Sequence, residues 1–185
     1  ANMNWPCWTR RKSYSNHKTN IPSSLSFSMH KNFYLCNVKK TVSFNDIPNL
    51  NLKEVDLLDW IYEQVSEKGA KIKRLDINFI SEDKMLNLNR EHLKHDNHTD
   101  ILTFSYNDHQ TIESEIFICF ERACENAQKH SQTPENEVLR LISHGLLHIF
   151  GMKDNTRRLR NAMANEEDKI IAKFHVKHTT SEKTL

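Results

Sequence analysis

His144 and His148 stand four apart in the stretch Leu139-Arg140-Leu141-Ile142-Ser143-His144-Gly145-Leu146-Leu147-His148-Ile149-Phe150-Gly151-Met152-Lys153-Asp154. On an α-helix, positions four apart share one face, one turn above the other. Two imidazoles placed that way can hold one metal ion. The flanking residues are almost all apolar, so the pair is expected to be partly buried and dry. Gly151 is placed to end the helix in a left-handed turn, and such a turn would bring Asp154 back to the same ion. The result is His-x3-His-x5-Asp, two nitrogens and one oxygen. Three protein ligands with one position left for water is the plan of a catalytic zinc site. A hydrogen-bonded pair within a core or interface helix is the other reading of two such histidines. The helix-ending glycine and the following aspartate favour metal. Zinc proteases place Glu directly after the first His as general base; Gly145 stands there instead, which favours another hydrolytic chemistry.

His144-Gly145-Leu146-Leu147-His148-Ile149-Phe150-Gly151-Met152 resembles the signature of the bacterial YbeY-type endoribonucleases. A second block is similar as well. Leu86-Asn87-Leu88-Asn89-Arg90-Glu91-His92-Leu93-Lys94-His95-Asp96-Asn97-His98-Thr99-Asp100-Ile101-Leu102-Thr103-Phe104 resembles the family's other signature, with its Thr-Asp-hydrophobic-hydrophobic-Ser/Thr-Phe run. Ser114-Glu115-Ile116-Phe117-Ile118-Cys119 is a third and weaker match. The three blocks fall in one consistent order over about residues 30 to 175, which is far more specific than a histidine pair. The resemblance implies a zinc-dependent endoribonuclease specific for single strands. It would act in maturation of the 3′ end of small-subunit rRNA and in ribosome quality control, with RNA and the ribosome or its small subunit as partners, in the cytoplasm.

Two positions depart from the family pattern. Most members close the metal motif with a third histidine where this chain has Asp154. A carboxylate is a sound zinc ligand, but its negative charge makes a bound water less acidic than a third neutral imidazole would. Many members also carry Arg-Gly beside the site where this chain has Leu93-Lys94. If that arginine holds phosphate, Arg90 or Lys94 is expected to do so here.

These residues need a domain to position them. The chain has 185 residues, 37% of them hydrophobic, with 3 glycines and 4 prolines. That suits one domain with a single core and argues against a loop-rich or repeat protein. No run of 18 or more apolar residues is present, so no membrane-spanning segment is expected. The 4 cysteines, Cys7, Cys36, Cys119 and Cys124, lack Cys-x-x-Cys spacing and suit free thiols in a reducing compartment. The net charge of +2 is unevenly spread: residues 1 to 45 hold 7 Lys and Arg and no acid, and the remainder holds 19 basic and 24 acidic residues. Residues 1–28, with Trp5, Pro6, Trp8, Arg10, Arg11 and Lys12, show no periodicity and read as a flexible basic arm. The arm could be an extension without a task, could grip RNA through phosphates and stacking, or could be an organelle transit peptide. The domain is expected over 29–178, with 179–185 as a tail.

The patterning predicts an α+β fold, a small mixed sheet packed with helices, with the metal site on a central helix and the turn after it. Strands are expected at Asn32 to Cys36, Thr41 to Phe44, Leu75 to Ile80, Ile101 to Tyr106 and Glu115 to Cys119, the last two joined by a polar hairpin loop. Leu52, Leu57, Leu58, Ile61 and Val65 have helical spacing closed by Gly69. Ser81 is placed to cap a helix with Met85, Leu86, Leu88 and Leu93 as apolar contacts. Glu121 to Lys129 reads as a helix. The metal helix should open with Thr133 as cap, Pro134 at its first position and Glu135 and Glu137 in its first turn. A last helix is expected from Leu159 to Phe174 with Met163, Ile170 and Ile171 inward.

Zinc at the site would acidify a water for attack, or polarise a phosphoryl oxygen while the RNA's own 2′-hydroxyl attacks; the sequence does not choose. No histidine outside the pair is placed as base. His92, His95 and His98 fall in an expected loop and could line a phosphate path with Arg90 and Lys94. Thr99 and Asp100 read first as a turn or cap before the strand at Ile101. Two other functions fit the same residues: a metal-dependent hydrolase of a small molecule or peptide, and a non-catalytic ribosome-associated factor with a structural metal.

Overall fold

A computed structural model of the chain describes residues 41–93, 96–106 and 111–179. The elements run β1 (Val42–Asn45), α1 (Glu54–Glu67), β2 (Lys71–Ile80), α2 (Glu82–Leu93), β3 (Ile101–Ser105), β4 (Thr111–Cys119), α3 (Phe120–Lys129), α4 (Pro134–Ile149) and α5 (Arg157–Thr179). The four strands form one sheet in the order β1-β2-β4-β3. β2 is parallel to both β1 and β4, and β3 is antiparallel to β4. The fold is the expected α+β architecture, a small mixed sheet packed with helices.

Strand periodicity sorts side chains to two faces. Leu75, Ile77 and Phe79 of β2 and Ile112, Ile116 and Ile118 of β4 enter the main core, with Leu57, Trp60 and Ile61 of α1 and the inner faces of α4 and α5. The fully buried Trp60 donates its indole N–H to the Ile170 carbonyl at 3.0 Å and meets the Phe174 ring edge-on, joining α1 to α5. On the opposite face a smaller cluster of Met85, Leu102 and Cys119, with Leu88, Phe104 and Phe117 beside it, packs under α2.

Helix α4 is the most deeply seated, with nine buried residues. Thr133 caps it, its hydroxyl accepting from the Asn136 N–H at 3.2 Å, with Pro134 leading the first turn. Gly145 lies on the cross-strand pair Thr103 and Ile116. A Cβ there would stand 2.8 Å from Ile116 Cδ1 and 3.2 Å from Thr103 Oγ1. The glycine therefore lets the helix that carries both histidines lie close against the sheet.

Several bounds differ from the sequence-based expectation. β2 begins at Lys71 and β4 at Thr111, each four residues early, because their backbones pair from Lys71 and Thr111 onward, with an irregularity between Ile72 and Arg74. Ladder hydrogen bonds extend a strand past its apolar stretch. α2 continues to Leu93, so His92 is helical and not in a loop, its ring packed edge-on against Phe104. α5 outlasts its apolar stripe at both ends. The strand expected at residues 32–36, the arm over 1–28, the hairpin loop at 107–110 and the tail beyond 179 lie outside the described residues.

Candidate metal centre

α4 ends in a Schellman turn. The Met152 N–H reaches the Leu147 carbonyl and the Gly151 N–H reaches that of His148, each at 2.9 Å. This closure needs a left-handed residue, and Gly151 supplies it at φ 85°. The chain then doubles back through 152–155. Arg160, in the first turn of α5, donates to the Asp154 carbonyl at 3.2 Å and holds the returning segment. Thr156 Oγ1 caps α5 through the Leu159 N–H.

The turn brings together the three residues singled out by spacing. One ligand atom each from His144, His148 and Asp154 lies within 4.8 Å of the others, a group that could hold a metal ion. The two Nε2 atoms face each other at 2.9 Å. The other ring nitrogens are committed. His144 Nδ1 lies 2.8 Å from a Glu167 carboxylate oxygen, and His148 Nδ1 lies 3.0 Å from the Met152 carbonyl. A carbonyl and an ionised carboxylate can only accept, so both Nδ1 atoms carry the proton. Both Nε2 atoms of the neutral rings then present lone pairs to each other. Two acceptors in contact call for a cation, a proton or a metal ion, to be shared by them, and two imidazoles with a carboxylate alongside are a donor set suited to zinc. The residues therefore fit the ion.

Electrostatics agree. Burial disfavours a charged His144 ring. The hydrogen bond that His144 donates to Glu167 and the charges of Glu167, Asp154 and Asp100 outweigh it, and the His144 pKa is raised. A raised proton affinity on a half-buried histidine marks a place where positive charge is welcome. Glu167 is buried at 6% exposure. Its second oxygen pairs with Arg140 at 3.2 Å, and Arg140 also reaches Asp168 at 2.8 Å.

Sequence reasoning passed over Glu167. The signal was there: Met163, Glu167, Ile170, Ile171 and Phe174 form one helical stripe, and a carboxylate inside an apolar stripe needs a partner. The remaining candidates among the described residues do not join the histidines. Arg90 is exposed on α2, which packs on the other face of the sheet, and its guanidinium pairs with Asp96 at 2.6 Å. Lys94 and His95 lie outside the described residues. His98 pairs with Glu82 at 2.7 Å. Thr99 and Asp100 take the structural role expected of a turn before a strand. Thr99 Oγ1 donates to the Ile101 carbonyl, and Asp100 accepts from Asn126 through its side chain and from the Cys119 N–H through its carbonyl.

Residues 39–175 match the family described as Endoribonuclease YbeY. The chain belongs to the YbeY family. Proteins named Endoribonuclease YbeY from Phocaeicola vulgatus and Christiangramia forsetii are 34% and 33% identical to it. The first alignment covers 66% of this chain and 88% of the relative, the second 67% and 87%. Among solved structures, the solution structure of TM1509 from Thermotoga maritima has the same fold, with a TM-score of 0.57 at 22% identity over 76% of this chain and 93% of that one. The family match begins at residue 39, leaving the basic arm outside it. No helix among the described residues is long and apolar enough to cross a membrane.

Proposed function

We propose that this YbeY-family protein is a zinc-dependent, single-strand-specific endoribonuclease. Its target is the 3′ end of small-subunit rRNA, and it serves ribosome maturation and quality control in the cytoplasm. The ligands are His144, His148 and Asp154, one ion per chain. The catalytic domain spans 29–178, with the basic arm over 1–28 and a tail over 179–185. The observation that carries the reading is the pair of facing Nε2 atoms whose Nδ1 partners are both acceptors.

Zinc held there supplies Lewis acidity toward a phosphoryl oxygen and acidifies water. The chain supplies the rest. Glu167 and the Met152 carbonyl keep the Nδ1 protons in place, so both Nε2 lone pairs stay available. Asp154 adds an anionic oxygen, which tightens the ion and tempers its acidity. Packing of Gly145 on Ile116 holds the helix, and with it both rings, at a set distance from the sheet. Arg90 and Lys94 grip phosphates of the bound strand, Arg90 by exchanging Asp96 for a phosphate oxygen.

The test is cleavage of a defined single-stranded RNA by zinc-loaded protein, chelated protein and His148→Ala, with the ends mapped. Loss of cleavage with chelation and with the variant is expected. A folded, metal-free His148→Ala that still cleaves as wild type overturns the reading. Hydrolysis of casein or dipeptides with none of RNA replaces it with a peptide-hydrolase function.

A further inference from the structure

Among the described residues, the buried carboxylate touching a candidate ligand is Glu167, and it comes from a different helix, 23 residues along the chain from His144. Burying a carboxylate is costly unless its oxygens are satisfied, and here both are used. One accepts from His144 Nδ1 at 2.8 Å and the other from Arg140 at 3.2 Å. Arg140 lies on α4, one turn before His144, and its second amino group is held by Asp168 on α5. Two successive acids of α5 thus clamp the arginine, and the arginine orients the first acid toward the histidine. A structural staple between α4 and α5 would need only Arg140 with Asp168. The histidine contact adds something a staple does not need, a fixed ring orientation and a fixed tautomer.

We propose that Glu167, braced by Arg140, is a positioning residue for the metal centre: it locks His144 as the Nδ1–H tautomer, aims Nε2 at the ion and raises the ring's basicity toward it. The proposal rests on the metal reading above. A carboxylate behind a ligating histidine makes imidazole a stronger donor, and loss of such a partner weakens metal binding by roughly 10–100-fold. Glu167 meets His144 at Nδ1, and Asp154 is grouped with both histidines. Together the two acids give a divalent ion two nearby negative charges, only one of them a ligand.

The test compares Glu167→Gln with wild type, using Co2+ as the probe. Glutamine keeps a carbonyl acceptor for His144, removes the charge and turns its NH2 toward Arg140, which remains held by Asp168. Glu166→Gln, which removes the neighbouring exposed acid paired with Lys169, is the reference. Co2+ affinity is read by competition with a chromophoric chelator, and ligand geometry by the visible spectrum of the bound Co2+. The expected result is an affinity roughly 10–100-fold weaker for Glu167→Gln with an altered spectrum in a protein that still folds without metal, and wild-type behaviour for Glu166→Gln. Should Glu167→Gln fail to fold, Glu167→Asp is read in the same assay, since it keeps the charge and withdraws it by one methylene. Wild-type affinity and spectrum in the folded Glu167 variant overturn the positioning role and leave the metal reading intact. A wild-type protein that takes up no Co2+ overturns the metal reading itself.

Discussion

Two acidic residues carry consequences of opposite kinds. Asp154 is half-exposed on a returning turn with its backbone tied to Arg160, so its side chain can change without loss of the fold. Asp154→Ala should weaken zinc by at least tenfold while the metal-free melting temperature stays within about 2 °C, and Asp154→His should keep the ion, since imidazole and carboxylate are both good zinc ligands. Metal content after dialysis against a graded chelator decides it. Glu137, in the first turn of α4, is buried. Burial raises its pKa above the usual 4.5, and the attraction of Arg140 only partly opposes this. The native state therefore holds that proton more tightly than the unfolded chain. The contribution is fully favourable below the unfolded value near 4.5 and is lost as pH rises through the folded pKa. At neutral pH the ionised group thus costs stability. Glu137→Gln is expected to raise the melting temperature at pH 7, with the gain shrinking as pH falls toward 4.5. A gain that grows on acidification would contradict this.

At the scale of elements, three of the helices close in the same way. α1 and α4 use Gly69 and Gly151 at positive φ, and α3 uses Ser131 at φ 53° with the Gln132 N–H returning to the Ala127 carbonyl. Of these, the closure of α4 leads to the candidate metal centre, because the chain beyond it carries Asp154. Gly145 has a different task, since its backbone is helical and its value lies in having no Cβ. Alanine would gain about 1 kcal/mol of helix propensity. It would lose about 1–3 kcal/mol to overpacking against the wholly buried Ile116 and against Thr103. The strain should win. Gly145→Ala is expected to lower the melting temperature by about 2–4 °C and Gly145→Val by more. A rise for the alanine variant in thermal melts would show that Ile116 swings aside at little cost.

At the scale of the molecule, RNA binding is a question of charge. A divalent ion with one carboxylate ligand leaves a net charge near +1, and such a charge is screened within about 10 Å at ordinary salt. Further cations are needed along the strand's path. If Arg90 and Lys94 provide them, Arg90→Gln and Lys94→Gln should each weaken RNA binding across sequences and shallow its salt dependence by about one counterion, with metal content unchanged. Slopes equal to wild type would remove both residues from the RNA path. The arm belongs to this scale as well. Residues 1–28 show no periodicity in the sequence, so their deletion should leave the melting temperature and metal content unchanged. A large fall in melting temperature would mean that the arm packs on the domain.

The grouping of His144, His148 and Asp154 was legible from sequence because its geometry is local. A helix period, a glycine turn and a short return are all dictated by neighbouring residues, and the structure brings His144, His148 and Asp154 together as that spacing requires. The cap at Thr133, the Gly69 and Gly151 turns and the apolar stripes were legible for the same reason. Strand starts were not, because Lys71 and Thr111 are strand residues only through each other's backbone. Nor was the place of Arg90: chain order sets it 11 residues before the strand β3 that α4 packs upon, yet the crossover puts α2 on the far face of the sheet. Glu167 reaches His144 solely by the packing of α5 on α4. The sequence by itself determined the donors and their spacing, because helix geometry repeats every few residues. Which charge stands behind His144, and how close α4 lies to the sheet, were decided by contacts between distant segments, and no local pattern encodes those.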